Sequence, residues 1–356
     1  MFFNNKPLTA FANFKGESGD NPPEASFPNG TEWTLALSSE NFQYKEGGVV
    51  RCNDGVWVYV NTGTNDVWYS KDGKNLTSCN VGVSFGHSKK IYYANGLWFI
   101  SGSTNQVYYS TNGKNWSPSS ISGIGAYPTI CYNEAIGWVA VFEKSAERKN
   151  YIYHSNDGME WTCKNSFAHT SHIDDLCWHN GRLIMAGVTN SFYTDATFET
   201  IGSYGIKIRQ LSKVGADVYA TGNGIYHTRN GETWYQSMNN DDGSFYGFKY
   251  ANGVMVAGGL SNKYTLLYST DGGATWKEND GVSLTDPTYQ TASAYEIQYE
   301  NGMWVAATNS GIFTSRDGKT WAATNINDKT GSVFYADGVW ATSCNSGMYY
   351  SQAWER

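Results

Sequence analysis

The feature that most restricts what this 356-residue chain can fold into is a turn that recurs along its length. The turn reads Ser/Thr-x-Asp/Asn-Gly-x-x-Trp and occurs at 110–116, 155–161, 228–234 and 315–321. At 70–76 the last place is Leu76, at 269–276 there is one extra residue, and Thr194 to Phe198 is a shortened relative without the glycine. A second turn precedes most copies: Asp54-Gly55, Asn95-Gly96, Asn180-Gly181, Asn252-Gly253, Asn301-Gly302 and Asp337-Gly338, with Gly137 and Gly215 standing as degenerate copies. Asn-Gly and Asp-Gly between apolar runs specify tight hairpins, because a type I′ turn needs positive φ at both central residues.

The Ser or Thr that opens the first turn falls at 70, 110, 155, 194, 228, 269, 315 and 351, so the steps run from 34 to 46 residues. That period is the length of a four-stranded propeller blade. Each unit reads as strand, turn, strand, link, strand, turn, strand. A lone four-stranded sheet cannot cover both apolar faces, whereas stacking the units in a ring buries them and leaves only short edges. The pattern therefore predicts an all-β, closed β-propeller of about eight four-stranded antiparallel blades. Its last unit reaches Ser351 and stops without a Trp strand, while Asn29-Gly30-Thr31-Glu32-Trp33 supplies the missing piece near the start. The N-terminal strand is thus expected to complete the last blade, with 29–37 pairing against 349–351.

Composition agrees with many short strands. Charged residues are 16% of the chain, below the usual ~25%, and 14 Trp and 26 Tyr carry much of the apolar surface. Gly is abundant at 39 and Pro scarce at 7, as tight turns require. A net charge of −7 with scattered Lys and Arg argues against a nucleic-acid partner. The first residues lack the basic and apolar regions of a secretory signal, and no apolar run reaches the ~18 residues of a membrane span. Cys52, Cys79, Cys131, Cys163, Cys177 and Cys344 stand singly and are expected as reduced thiols buried in strands.

The first turn resembles the Asp-box, or BNR, repeat, Ser-x-Asp-x-Gly-x-Thr-Trp, and 269–276 matches its spacing in full. The resemblance covers roughly residues 29–351. It implies a structural repeat, carried by Asp72, Asp157, Asp271 and Asp317 with Trp116, Trp161, Trp234, Trp276, Trp321 and the closing Trp33. In such repeats the Asp bonds backbone N–H groups of its turn, the Trp packs inside, and the turns lie away from the binding face.

Catalytic chemistry has little to stand on. The arginine set and Tyr/Glu pair of a sialidase-like site are not recognisable, and the carboxylates Asp241, Asp242, Asp280, Asp286 and Glu296 have no spacing that fixes a glycosidase pair. The segment holding His169, His172, Asp174, Asp175, Cys177 and His179 invites a metal reading, but strand alternation would send successive side chains to opposite faces. No catalytic residue, metal or cofactor is expected. Ligands of propellers usually meet the face carrying the inter-blade loops. The loops at 119–128, 166–172, 238–246 and 279–292 offer Tyr127, His169, His172, Tyr246 and Tyr289 for recognition.

Residues 1–28 lack the repeat and hold Phe2, Phe3, Phe11 and Phe14, so they read as an N-terminal docking arm ahead of a propeller at 29–356. Asn/Tyr/Ser-rich propellers with such an arm are similar to accessory proteins of bacteriophage particles. That resemblance implies a non-enzymatic virion component, tail- or collar-associated, assembled in the host cytoplasm. Its partners would be other virion or assembly proteins and a cell-surface glycan. A free glycan-binding lectin-like propeller and an Asp-box glycoside hydrolase are the alternatives.

Overall fold

The computed structural model describes residues 32–38, 48–61, 66–79, 81, 90–102, 106–122, 126–168, 172–239, 243–261, 266–279 and 293–352. These residues form eight four-stranded antiparallel sheets. Blade one comprises Gly48–Asn53, Val56–Asn61, Val67–Ser70 and Thr77–Cys79. The inner strands of blades two to eight are Lys90–Ala94, Ala126–Asn133, Ile173–His179, Ile208–Val214, Gly243–Ala251, Ala294–Glu300 and Thr330–Ala336. Each inner strand touches the next, and the eighth touches the first, so the ring is closed.

The hairpin dipeptides behave as their chemistry requires. All six Asn-Gly and Asp-Gly pairs have positive φ at both residues, from Asp54 at 51° and Gly55 at 70° to Asp337 at 49° and Gly338 at 78°. The second turn type is held by its own side chains. Ser70 Oγ accepts the Gly73 N–H at 3.0 Å, and Asp72 Oδ1 accepts the N–H groups of Lys74 and Asn75 at 2.9 and 2.8 Å. Asn112 and Asn230 do the same with an amide oxygen, at 2.9 to 3.0 Å.

The tryptophan that ends this turn is less buried than expected. Trp116, Trp161, Trp234 and Trp276 are half-buried, and of the five only Trp321 is fully buried. They stand at the start of outer strands, where one side faces solvent. In four of them the indole N–H donates to the carbonyl of the turn glycine, for example Trp161 to Gly158 at 2.9 Å. The deep tryptophans are instead Trp57, Trp98, Trp138, Trp304 and Trp340, in the second strands of their blades. In blade four Phe198 takes the place of the outer Trp and is buried.

Apolar side chains gather into eight clusters, one between each pair of neighbouring blades. Trp98 packs on Val58 and Val60 of blade one, and Trp304 packs on Val254 and Val256 of blade six. The core is therefore a set of radial wedges, to which the second strands contribute more residues than any other strand.

Closure uses both ends of the described chain. Thr34–Ser38 pairs antiparallel with Gly347–Gln352 as the outer strand of blade eight, Thr34 opposite Tyr350 and Ser38 opposite Gly347. The pairing thus lies a few residues along from the expected one, and residues 29–31 fall outside the described residues. Trp33 enters the wedge between blades seven and eight beside Val305, Ile312 and Trp340. Its N–H donates to Asn325 Oδ1 at 2.8 Å, and Asn325 Nδ2 donates back to its carbonyl at 3.0 Å. The arm at 1–28, with Phe2, Phe3, Phe11 and Phe14, also lies outside the described residues.

The turn carboxylates have a consequence in acid. Burial opposes it at Asp72 and Asp317, yet the accepted N–H groups hold Asp72, Asp157 and Asp317 below the ordinary carboxylate range. A carboxyl with a lowered folded value contributes stability above its unfolded pKa and loses it as pH falls towards the folded one. The Asp72→Asn/Asp157→Asn/Asp317→Asn variant should therefore melt close to wild type at pH 7, as Asn112 and Asn230 foreshadow. Its melting temperature should fall less steeply than wild type between pH 4 and pH 2. Since these groups face solvent, each effect is small. Identical acid limbs in thermal melts would contradict the assignment.

Candidate functional site at the inner-strand bulges

Six of the eight inner strands carry one irregularity at the same place, close to where the strand begins. Pairing to the second strand skips between Ala126 and Thr129, Ile173 and Asp175, Ile208 and Gln210, Phe245 and Gly247, Ala294 and Glu296, and Thr330 and Ser332. A bulge leaves one residue out of the ladder and re-aims its side chain. Asp174, Arg209, Tyr246, Tyr295 and Gly331 are the residues left out in blades four to eight.

At four of the six bulges the following residue ties its blade to the next. Asp175 Oδ2 accepts the Leu211 N–H of blade five at 2.8 Å, and Glu296 Oε2 accepts the Val333 N–H of blade eight at 3.2 Å. Ser332 Oγ accepts the Val50 N–H of blade one at 3.0 Å, and Thr129 Oγ1 donates to the Ile173 carbonyl of blade four at 2.6 Å. Burial pushes the Asp175 carboxyl up to about 6, although the N–H groups of Leu211 and Leu176 and the Lys90 charge oppose it. Glu296 also faces Arg51 of blade one at 3.2 Å, with both side chains buried. The axial carboxylates are thus engaged in holding blades together.

The bulged side chains form a contiguous arc across blades four to seven. Asp174 Oδ2 lies 3.4 Å from Arg209 Nη1, and the Arg209 guanidinium stands over the Tyr246 ring at 5.1 Å. Tyr246 meets Tyr295 with ring centroids 5.9 Å apart and planes inclined at 52°. At the other end His172 Nε2 is 3.2 Å from Asp174 Oδ1, and its Nδ1 is 3.9 Å from Glu143 of blade three. Lys90 Nζ donates to the Asp174 carbonyl at 2.8 Å and to Thr129 Oγ1 at 3.0 Å. Burial would raise Asp174, but the hydrogen bond to His172 and the charges of Lys90, His172 and Arg209 hold it low. His172 is 41% exposed, Arg209 30% and Asp174 21%, so the arc is open to a ligand.

Two of the sequence-selected binding residues, His172 and Tyr246, belong to this arc. Tyr127 lies on the inner strand of blade three, in Ala126–Asn133, with its side chain outside the described residues, as are His169 and Tyr289 altogether. The four turn aspartates, Asp72, Asp157, Asp271 and Asp317, sit in the turns between third and outer strands. Asp174, Arg209 and Tyr295 were not singled out as binding residues from sequence. A signal for them exists: each bulged residue of blades four to eight lies six positions before the first residue of its hairpin turn, as Tyr246 does before Asn252 and Tyr295 before Asn301.

The residues of the suspected metal segment are divided among separate tasks. His179 bonds the Arg229 carbonyl at 2.7 Å, Cys177 points at the Trp178 carbonyl, and Asp175 bonds blade five. Among the described residues no group of three or more His, Cys, Asp or Glu is arranged to hold a metal ion, and no helix is long and apolar enough to cross a membrane. Cys52, Cys79, Cys131 and Cys344 are buried as expected, whereas Cys163 is exposed on an outer strand and Cys177 is half-buried.

No family model matches the sequence, and no curated protein matches it. Solved structures resemble it in fold. The computationally designed Ika8 protein aligns at a TM-score of 0.61 and 11% identity, over 89% of this chain and 99% of its own. Sqt1 of Saccharomyces cerevisiae aligns at 0.64 and 9%, over 89% and 96%. Virginiamycin B lyase from Staphylococcus aureus aligns at 0.57 and 8%, over 90% and 98%. At such identities the likeness concerns the propeller fold alone.

Proposed function

We propose that this chain is a non-enzymatic recognition propeller whose working face is the end of the ring where the inner strands begin. The observation that carries this reading is the arc from His172 through Asp174, Arg209 and Tyr246 to Tyr295, which joins charge, hydrogen-bonding capacity and aromatic faces on rigid strands. Residues fixed on strands recognise a ligand with little ordering cost. The engagement of Asp175 and Glu296 in inter-blade ties favours binding over hydrolysis, since a glycosidase needs two free facing carboxylates.

The setting we propose is a bacteriophage particle, tail- or collar-associated, with residues 1–28 as the anchor and the propeller as the presented module. The support is the similarity of Asn/Tyr/Ser-rich propellers with an N-terminal arm to accessory proteins of phage particles. In co-sedimentation with particles, removing residues 1–25 should abolish incorporation and leave the melting temperature nearly unchanged. In the full chain, Arg209→Ala should leave incorporation intact and weaken adherence of the particles to host cells at least tenfold. Unchanged adherence with Arg209→Ala and with Tyr246→Ala would refute the face assignment, and normal incorporation of the truncated chain would refute the anchor.

A further inference from the structure

We infer that the arc holds a subsite for a neutral, polyhydroxylated sugar ring, seated on Tyr246 and Tyr295 and hydrogen-bonded by Arg209 and Asp174. The inference rests on the face assignment made above and goes further by naming the ligand class.

The two tyrosines come from neighbouring blades and are both half-buried, each anchored at a bulge. Their planes, inclined at 52° with centroids 5.9 Å apart, form an angled aromatic wall and not a flat stack closed on itself. Such a wall suits the apolar C–H face of a sugar, while phenol tips reach its hydroxyls. Next to it stand a guanidinium and a carboxylate 3.4 Å apart. A planar fork of donors beside a pair of acceptor oxygens matches adjacent hydroxyls, each of which donates once and accepts once.

Charge selects against an acidic sugar. Arg209 is already balanced by Asp174, His172 stands between Asp174 and Glu143, and the buried Lys90 ammonium is turned to the Asp174 carbonyl and Thr129. A carboxylate or sulfate on the ligand would also meet Asp174 and Glu143, on a chain of net charge −7. Like charges brought together at a partly desolvated site cost binding energy. A neutral ring makes the same hydrogen bonds without that repulsion.

The test is a glycan array followed by titration calorimetry with the full chain, using neutral and sialylated or sulfated glycans. At least one neutral glycan should bind, and Tyr246→Ala, Tyr295→Ala and Arg209→Ala should each weaken it at least tenfold. Tyr246→Phe, which keeps the ring face, should retain most of the affinity. Tyr235→Ala, which removes an exposed tyrosine of a different strand, should have no effect. Thermal melts of each variant separate lost binding from lost folding. Binding of acidic glycans only, binding indifferent to Tyr246 and Arg209, or no glycan bound at all would each overturn the sugar assignment. If no glycan binds yet Arg209→Ala still abolishes adherence to cells, the working face stands and its ligand is of another class.

Discussion

Glu296→Ala is expected to lower the unfolding free energy by about 3–5 kcal/mol, the usual cost of breaking one side of a buried ion pair. Arg51 and Glu296 are 4% and 3% exposed and reach each other from blades one and seven, across the inner strand of blade eight. The guanidinium also stands over Phe334 of blade eight at 5.4 Å, and its Nη1 donates to the Val50 carbonyl at 2.6 Å. Alanine would leave that cation buried without a counter-charge. It would also remove the acceptor of the Val333 N–H and of Gln298 Nε2, at 3.2 and 3.0 Å. The pair spans the one blade built from both ends of the described chain, so the loss should fall on ring closure. An Arg51→Met/Glu296→Leu variant removes both charges and should recover most of the loss, because apolar replacements of buried pairs are often neutral or stabilising. Urea denaturation of the two variants distinguishes these outcomes. A loss under ~1 kcal/mol for Glu296→Ala would mean that water already reaches the pair.

Trp304→Ala should cost about 3–5 kcal/mol and Trp116→Ala clearly less, although the recurring sequence motif marks the second and not the first. Trp304 is fully buried among Val254, Val256, Ala306 and Phe313, in the wedge between blades six and seven. Gly318 closes over it so tightly that an added Cβ would lie 3.0 Å from the indole. Walls fixed on two separate blades cannot collapse into the space left by alanine, so the cavity persists and adds to the transfer cost. Trp116 begins an outer strand and is half-buried, and water can occupy much of what its removal leaves. Equal losses at the two sites in urea melts would show that outer-strand tryptophans are as deeply packed as second-strand ones.

That contrast marks where the sequence was legible. Blade number and strand order follow from turn chemistry, because Asn-Gly and Asp-Gly pairs such as Asn95-Gly96 permit few backbones. The closing strand was legible too, since Trp33 follows a turn dipeptide in a place where the last blade lacks a strand. Burial depth was not. Trp recurs after both turns, and residue type does not tell the half-buried Trp116, Trp161, Trp234 and Trp276 from the buried Trp57, Trp98 and Trp304, which each stand two residues after a hairpin glycine. At the site, His172 and Tyr246 were found by residue type and loop position. Strict alternation hides Asp174, because a bulge breaks it by adding a residue that no strand pattern reveals. Arg209 and Tyr295 read as ordinary strand residues until their constant distance from the hairpin turn is set against the pairing register.

A residue outside the ladder can change without altering any main-chain pairing in its blade. Blades four to eight carry Asp, Arg, Tyr, Tyr and Gly at that place, four residue types spanning both charges, aromatic rings and no side chain at all. The blade framework and the chemistry at the mouth of the ring are thus free to drift at different rates. Each of blades four to eight behaves as a cassette with one rewritable letter. Homologous chains with the same register and turn chemistry should then spell different words around the axis, and recombination of whole blades would reshuffle ligand preference without refolding the ring.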